Sequence, residues 1–63
     1  MSDYTYYFLN PDESVPGFEF DQCKHDAEAL ERAAARLRGQ PERKAVEVWR
    51  GEQLLLRMNA ASR

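Results

Sequence analysis

The sequence predicts an α+β fold in the order ββαββ, with a four-stranded, mostly antiparallel sheet and one helix packed on one face. Two strand-like segments precede the one long segment with helical periodicity, and a second pair of strand-like segments follows it. Clusters of turn-forming residues separate these segments. The 63 residues are predicted to form a single domain, residues 1–63, with an ordered core over about residues 4–58.

The first strand is predicted over residues 4–9, which are rich in aromatic side chains. Alternate residues of a strand share a face, so Tyr6 and Phe8 are expected to point into the core. Tyr7 and Leu9 then lie on the opposite face, which is still largely apolar. One apolar face is enough to build a core, so the second face requires a separate explanation.

A short second strand is predicted over residues 17–20, with Phe18 and Phe20 on the same face. Turn-forming residues at positions 10–14 separate it from the first strand. Because the two strands are so close in sequence, we expect them to form a loose antiparallel hairpin.

The helix is predicted to begin at Asp21, whose side chain can act as the N-cap by accepting from free amides of the first turn. It is predicted to end at Gly39 in the left-handed C′ conformation, with Pro41 preventing its continuation. Glu28 and Arg32 stand at the favourable i,i+4 spacing on its charged side. The apolar residues form one stripe at steps of four and three: Cys23, Ala27, Leu30, Ala34 and Leu37.

The last two strands are predicted to form a hairpin with a three-residue loop at residues 50–52. This register places Trp49 opposite Gln53 and lets the apolar cross-strand partners share a face. Glycine usually stands third in such loops, whereas Gly51 stands second, and a β-bulge would reconcile the two. The tail, residues 59–63, is expected to be frayed.

The predicted sheet face opposite the helix brings together Tyr7, Trp49 and Leu55, with Arg57 at the rim. Tryptophan, tyrosine and arginine are typical of the residues that dominate binding at protein interfaces. A core this small also gains stability when a second apolar surface is buried against a partner. We therefore predict a non-enzymatic protein that acts through protein–protein association, as a homodimer or as the subunit of a complex.

Two other interpretations of this face are compatible with the sequence. Aromatic side chains on an open sheet can stack nucleic-acid bases, but Glu47 and Glu52 offset the nearby Arg50 and Arg57. The net charge of −2 and the absence of a basic block also argue against nucleic acid. Alternatively, tyrosine and tryptophan simply cover the sheet with their polar tips in water.

The residue pattern indicates no catalytic, cofactor-binding or metal site. The single cysteine and single histidine, Cys23 and His25, point in different directions on a helix and form neither a nucleophile pair nor a metal-ligand set. Cys23 is expected to be a small core residue, and a reactive thiol near the helix start is the alternative. Asp12 and Glu13 stand beside a proline and are expected to form a solvated turn.

No targeting or membrane segment is recognised in the sequence. The N-terminus lacks a basic region followed by an apolar run, and the apolar runs are too short to span a bilayer. One cysteine cannot form an intrachain disulfide. These features predict a cytoplasmic protein without membrane contact, and they identify no small-molecule substrate.

Four short motifs are distributed along most of the chain: Tyr6-Tyr7-Phe8, Gly17-x-Glu19-Phe20, Ala27-Glu28-Ala29-Leu30 and Leu55-Leu56-Arg57-Met58. They resemble a bacterial domain of unknown function with an R-Y-F-F start, G-x-E-L and A-x-x-E-A motifs and a closing hairpin. That family has no assigned activity, so the resemblance implies a fold. The chain departs from its pattern at Pro16, where acidic residues are more usual, and in a shorter helix–strand loop.

A second similarity is to HicB-like antitoxins, which also begin with an aromatic-rich hairpin and pass a proline–aspartate turn before a helix. Pro11-Asp12 and Ala27-Glu28-Ala29-Leu30 carry this similarity. It implies a toxin as the partner and the sheet as the binding surface.

Overall fold

The computed structural model describes residues 1–60, in which four strands and one helix follow the predicted order. The strands form one antiparallel sheet in the order β2-β1-β3-β4, and the helix packs on one face of it. This confirms the predicted fold class. Asn59, in the predicted frayed tail, ends the last strand, and residues 61–63 lie outside the described part. The elements are β1 Ser2–Leu9, β2 Gly17–Cys23, α1 Asp26–Arg38, β3 Ala45–Arg50 and β4 Gln53–Asn59.

The core lies between the sheet and α1. Tyr6 and Phe8 are buried, as predicted, and Tyr4 joins them on the same face of β1. On the helix the buried residues facing these rings include Ala29 and Ala33, whose small side chains let the helix lie close to the sheet. The remaining buried members are Cys23, Leu37, Val46 and Val48.

β2 is longer than predicted, because its pairing with β1 continues until Cys23 lies opposite Ser2. The predicted N-cap role of Asp21 is therefore wrong. Asp21 is a strand residue whose carboxylate accepts hydrogen bonds from Tyr6 and Arg32. Cys23 is fully buried, as expected for a small core residue, but it reaches the core from β2 and not from the helix.

The N-cap of α1 is His25, four residues later than predicted. Its Nδ1 accepts a hydrogen bond from the backbone N–H of Glu28 at 3.1 Å. The Glu28 carboxylate in turn accepts from the backbone N–H of Lys24 at 2.8 Å. This reciprocal arrangement satisfies two backbone donors that would otherwise have no partner in the helix.

The later start changes which helix face is buried. Ala29, Ala33 and Leu37 form the buried stripe at steps of four, whereas Ala27 of the predicted stripe is exposed. The predicted left-handed conformation of Gly39 is also wrong, because its φ is −82°. Its N–H instead donates to carbonyl groups of the last helical turn.

The β3–β4 turn has two residues, Gly51 and Glu52, with Arg50 paired to Gln53. The predicted three-residue loop and the predicted pairing of Trp49 with Gln53 are therefore wrong. Gly51 has a φ of 61° and stands first in the turn, a position that favours glycine in type II′ hairpins. A tight glycine turn thus replaces the wider loop.

A β-bulge in β4 corrects the register after this turn. Trp49 pairs with Leu54, but the next residue, Val48, pairs with Leu56, so Leu55 is an extra residue. Leu55 packs against the core cluster. Leu54 shares the face of Trp49, because directly opposed residues lie on the same side of a sheet.

Candidate protein-interaction surface

The sheet face away from α1 carries a continuous row of four aromatic rings, which we call the aromatic band. The ring centroids of Phe20 and Phe18 are 5.1 Å apart, those of Phe18 and Tyr7 5.8 Å, and those of Tyr7 and Trp49 6.2 Å. These tilted and edge-on contacts lie in the range in which aromatic rings attract one another. The band therefore crosses β2, β1 and β3 as one connected surface.

Sequence reasoning did not include Phe18 and Phe20 in this surface. On β2 they alternate with Glu19 and Asp21, whose carboxylates bind α1: a guanidinium nitrogen of Arg36 lies 2.9 Å from Glu19. Because the charged residues of β2 point to the helix, the two phenylalanines must point away from it. The sequence contained a pattern that could have placed them on this surface. Acidic and aromatic residues alternate along β2, and the charged side of the helix carries arginines that can pair with the acidic ones.

The apolar side chains at this surface are unusually open to solvent. Phe18 is 54% exposed, Phe20 70% and Leu54 45%. Isolated exposed apolar residues are normal on protein surfaces, but contiguous apolar patches mark sites of interaction. This patch is contiguous and draws on all four strands.

Two of the predicted surface residues, Tyr7 and Trp49, come together as expected, and their rings meet edge to face. The indole N–H of Trp49 donates to a Glu47 carboxylate oxygen at 3.2 Å, which fixes the ring over the sheet. Leu55 does not join them, because the bulge turns it toward the core. Leu54 occupies the position opposite Trp49 in its place.

The fourth predicted residue, Arg57, lies on this face at the rim. Its guanidinium is 4.0 Å from Glu47 and 3.9 Å from Glu13. Lys44 Nζ lies 2.7 Å from the same Glu13 carboxylate, and this hydrogen bond and charge lower the pKa of Glu13. These four charges beside the aromatic band, two positive and two negative, are therefore paired with one another.

The loop of residues 10–16 folds over one end of the band. Glu13 anchors it through the contacts above. Val15 then forms one wall of an open hollow of about 420 Å³ whose lining includes Tyr7 and Trp49. Leu9 is 5% exposed and does not belong to the core cluster beneath α1.

The other titratable groups in the core have structural partners. The Tyr6 hydroxyl lies 3.8 Å from the Cys23 sulfur and 3.2 Å from Asp21, and burial, followed by these neighbours, raises the pKa of Tyr6. Burial alone would raise the pKa of Asp21, but the nearby Arg32 and Arg36 outweigh it and lower that pKa. This pattern keeps the tyrosine neutral and the aspartate charged, as expected for a structural ion pair.

Within residues 1–60, no group of three or more histidine, cysteine, aspartate or glutamate side chains is arranged to hold a metal ion. In the same part of the chain, α1 is neither long enough nor apolar enough to cross a lipid bilayer.

No family model matches this sequence, and neither the curated proteins nor the solved structures contain a match. The resemblances to a bacterial domain of unknown function and to HicB-like antitoxins therefore stay predictions. The geometry of this surface is what supports a functional proposal.

Proposed function

We propose that this chain is a non-enzymatic cytoplasmic protein that acts by binding a protein through the aromatic band. The supporting observation is that Phe18 and Phe20 are each more than half exposed beside the rings of Tyr7 and Trp49. Clustered aromatic side chains supply most of the binding energy at many protein interfaces, because they desolvate a large area at a small cost in side-chain entropy. The paired charges around the band provide the polar rim that such interfaces have.

The electrostatics support binding over catalysis. Lys44 lowers the pKa of Glu13, and Arg32 and Arg36 lower that of Asp21, each from another element of the fold, whereas local hydrogen bonds from Ser14 and from Lys24 lower the pKa values of Asp12 and Glu28. Active sites instead place perturbed groups in a cleft where they face a reacting molecule. These lowered pKa values are therefore explained by ion pairs and local hydrogen bonds within the fold.

The aromatic band also has the stacking surface that a single-stranded nucleic acid requires, but its surroundings favour protein. Nucleic-acid binding needs cations that are free to neutralise phosphates. The cations at the rim, Arg57 and Lys44, are already close to Glu47 and Glu13. A phosphate backbone would have to displace these carboxylates, and we expect no shift of the Trp49 NMR signals on addition of single-stranded RNA at low salt.

A binding experiment with a double variant tests the proposal. The immobilised chain and its Phe18→Ser/Phe20→Ser variant are exposed to lysate and to the purified chain, and each retained protein is purified and titrated back. We expect at least one protein, a second copy included, whose dissociation constant is roughly tenfold or more weaker for the variant.

The matched control is Leu56→Ser, which removes a side chain of similar exposure, 43%, from the helix side of the sheet. It should bind as the unmodified chain does. The proposal fails if every protein that binds the purified chain binds the double variant equally well, or if no protein binds at all.

A further inference from the structure

We infer that the protein bound by the aromatic band is a second copy of this chain, and that Phe18 and Phe20 of each copy enter the hollow beside Tyr7 and Trp49 of the other. This inference rests on the proposed function, because it uses the same surface. It adds the identity of the partner and the contact that the two molecules make.

The surface contains both halves of such a contact. Phe18 and Phe20 stand on β2 at the sheet edge, with ring centroids 5.1 Å apart, and form a solvent-exposed pair. The hollow lies two strands away over β3, between the wall formed by Val15 and the rings of Tyr7 and Trp49. An exposed aromatic pair and a shallow apolar hollow on one face suit a self-complementary interface, since each copy supplies both.

The strand order sets the symmetry axis. β1 lies between β2 and β3 in the sheet. A two-fold axis that runs parallel to β1, between the two facing sheets, therefore places β2 of each copy over β3 of the other. Tyr7, which lies on β1, is then close to the axis and contacts its own equivalent. The strands of the two sheets are aligned, which is one of the two common ways in which sheets pack face to face. Both helices remain on the outside of the resulting four-layer dimer.

The charges are compatible with this arrangement. The open face of β2 carries Phe18, Phe20 and Gln22, so the segment laid over the partner's hollow has no charge. Glu47, beside the hollow, therefore meets no carboxylate of the second copy and keeps its contact with Arg57. On β1, which lies on the axis, the one charged residue of the open face is Asp3, at the exposed start of the strand, where its carboxylate accepts a hydrogen bond from Gln22.

The size of the face is also sufficient. A standard interface takes roughly 800 Å² from each partner, which is about a fifth of the 4189 Å² accessible surface of this chain. One face of a two-layer domain whose Cα framework measures 33 × 20 × 15 Å can supply that share. The gain is large for a core as small as this one, because binding to the folded state adds directly to its stability.

Light scattering coupled to gel filtration at about 100 µM measures the number of chains directly. We expect two chains for the unmodified protein and for Leu56→Ser. We expect a roughly tenfold or larger rise in the dimer dissociation constant for Phe18→Ser/Phe20→Ser and for Val15→Glu, which puts a charge in the wall of the hollow. Circular dichroism verifies that each variant is folded.

Mixing the two damaged variants tests the reciprocal contact. A heterodimer of the Phe18→Ser/Phe20→Ser variant with the Val15→Glu variant keeps one intact contact. The Val15→Glu chain still has its two phenylalanines, and they enter the hollow of the double variant, which is unchanged. Each homodimer has two damaged contacts. We therefore expect an equimolar mixture to contain more dimer than either variant alone at the same total concentration.

Three results would overturn the inference: a single chain for the unmodified protein at 100 µM, an undiminished dimer for the double variant, or no recovery on mixing. The first result leaves the proposed function standing if another protein binds the band in the experiment described above. A dimer that the double variant does not weaken, with no other band-dependent partner, would remove both.

Discussion

The guanidinium of Arg36 lies over the ring of Tyr6, 5.1 Å from its centroid. The same guanidinium lies 2.9 Å from a Glu19 carboxylate oxygen and 3.3 Å from one of Asp21. A single side chain of α1 therefore binds a buried ring of β1 and two carboxylates of β2. This explains how the charged side of the helix helps to hold the edge strand that carries Phe18 and Phe20.

Replacing Arg36 with lysine keeps the charge but removes the planar group that covers Tyr6. We expect Arg36→Lys to lower the free energy of unfolding by about 0.5–1 kcal/mol, the usual size of a partly exposed cation–π contact. Urea unfolding followed by Trp49 fluorescence measures this loss. Arg38→Lys makes the same change at an exposed position of the last helical turn and should cost less. Equal losses at both positions would contradict the role of the ring contact.

Asp21 should make the free energy of unfolding depend on pH in the acidic range. Its pKa is lower in the folded chain than its ordinary value, so its contribution to stability is complete above the unfolded pKa, near 4. That contribution is lost as the pH falls from about 4 through the lower folded pKa. We expect Asp21→Asn to be less stable at pH 7 and to lose less stability between pH 4 and pH 2.

Urea titrations at several pH values measure this slope. Glu31→Gln removes an exposed carboxylate of α1 and should leave the acid slope as it is in the unmodified chain. An Asp21→Asn variant with an unchanged acid slope would show that other carboxylates control the acid response.

His25 is an unusual N-cap, and its effect should be measurable. Its ring nitrogen accepts from the backbone N–H of Glu28, so His25→Ala leaves that donor without its side-chain partner. We expect a loss of about 0.5–1 kcal/mol for alanine and little or no loss for serine, whose hydroxyl is a preferred cap. Thermal unfolding monitored by circular dichroism ranks the variants. Lys24→Ala is the control at the neighbouring residue. A His25→Ala variant as stable as the unmodified chain would contradict the N-cap role of His25.

Gly51 should be the least replaceable glycine. Its φ of 61° is strained for any residue with a Cβ, and we expect Gly51→Ala to cost about 1–2 kcal/mol in chemical unfolding. Gly17→Ala is the matched control, because a Cβ at Gly17 meets nothing within 4 Å and its φ is not left-handed. Gly39→Ala should also be tolerated, since a Cβ added at Gly39 would lie 3.5 Å from its nearest neighbour, the Arg36 carbonyl oxygen. Equal losses at Gly17 and Gly51 would exclude backbone strain as the cause.

The sheet and the inner face of β1 were predictable because they depend on local alternation. Tyr6 and Phe8 point to the core at the two-residue period that any strand imposes, and the burial of Cys23 follows from its small apolar side chain. The candidate surface was predictable in part by the same reasoning. Tyr7 and Trp49 were placed on one face from alternation alone and do meet there.

The remaining features depend on pairing between distant residues. Asp21 has the right side chain for an N-cap, but β2 continues past it because β1 is long enough to pair through Ser2. Leu55 moved to the core because one extra residue was accommodated in β4 and not in the turn. Phe18 could be placed outside only once Glu19 was known to bind Arg36.

The bulge in β4 has a consequence beyond the position of Leu55. β4 is an edge of the sheet, and its seven residues contain one charge, Arg57, and no proline. Regular apolar edges of this kind are templates on which other chains add as strands during synthesis or after partial unfolding. One inserted residue breaks the even spacing of the outward N–H and C=O groups, so an incoming strand meets only short stretches of matching partners. We therefore expect the irregularity to oppose the addition of further strands at this edge.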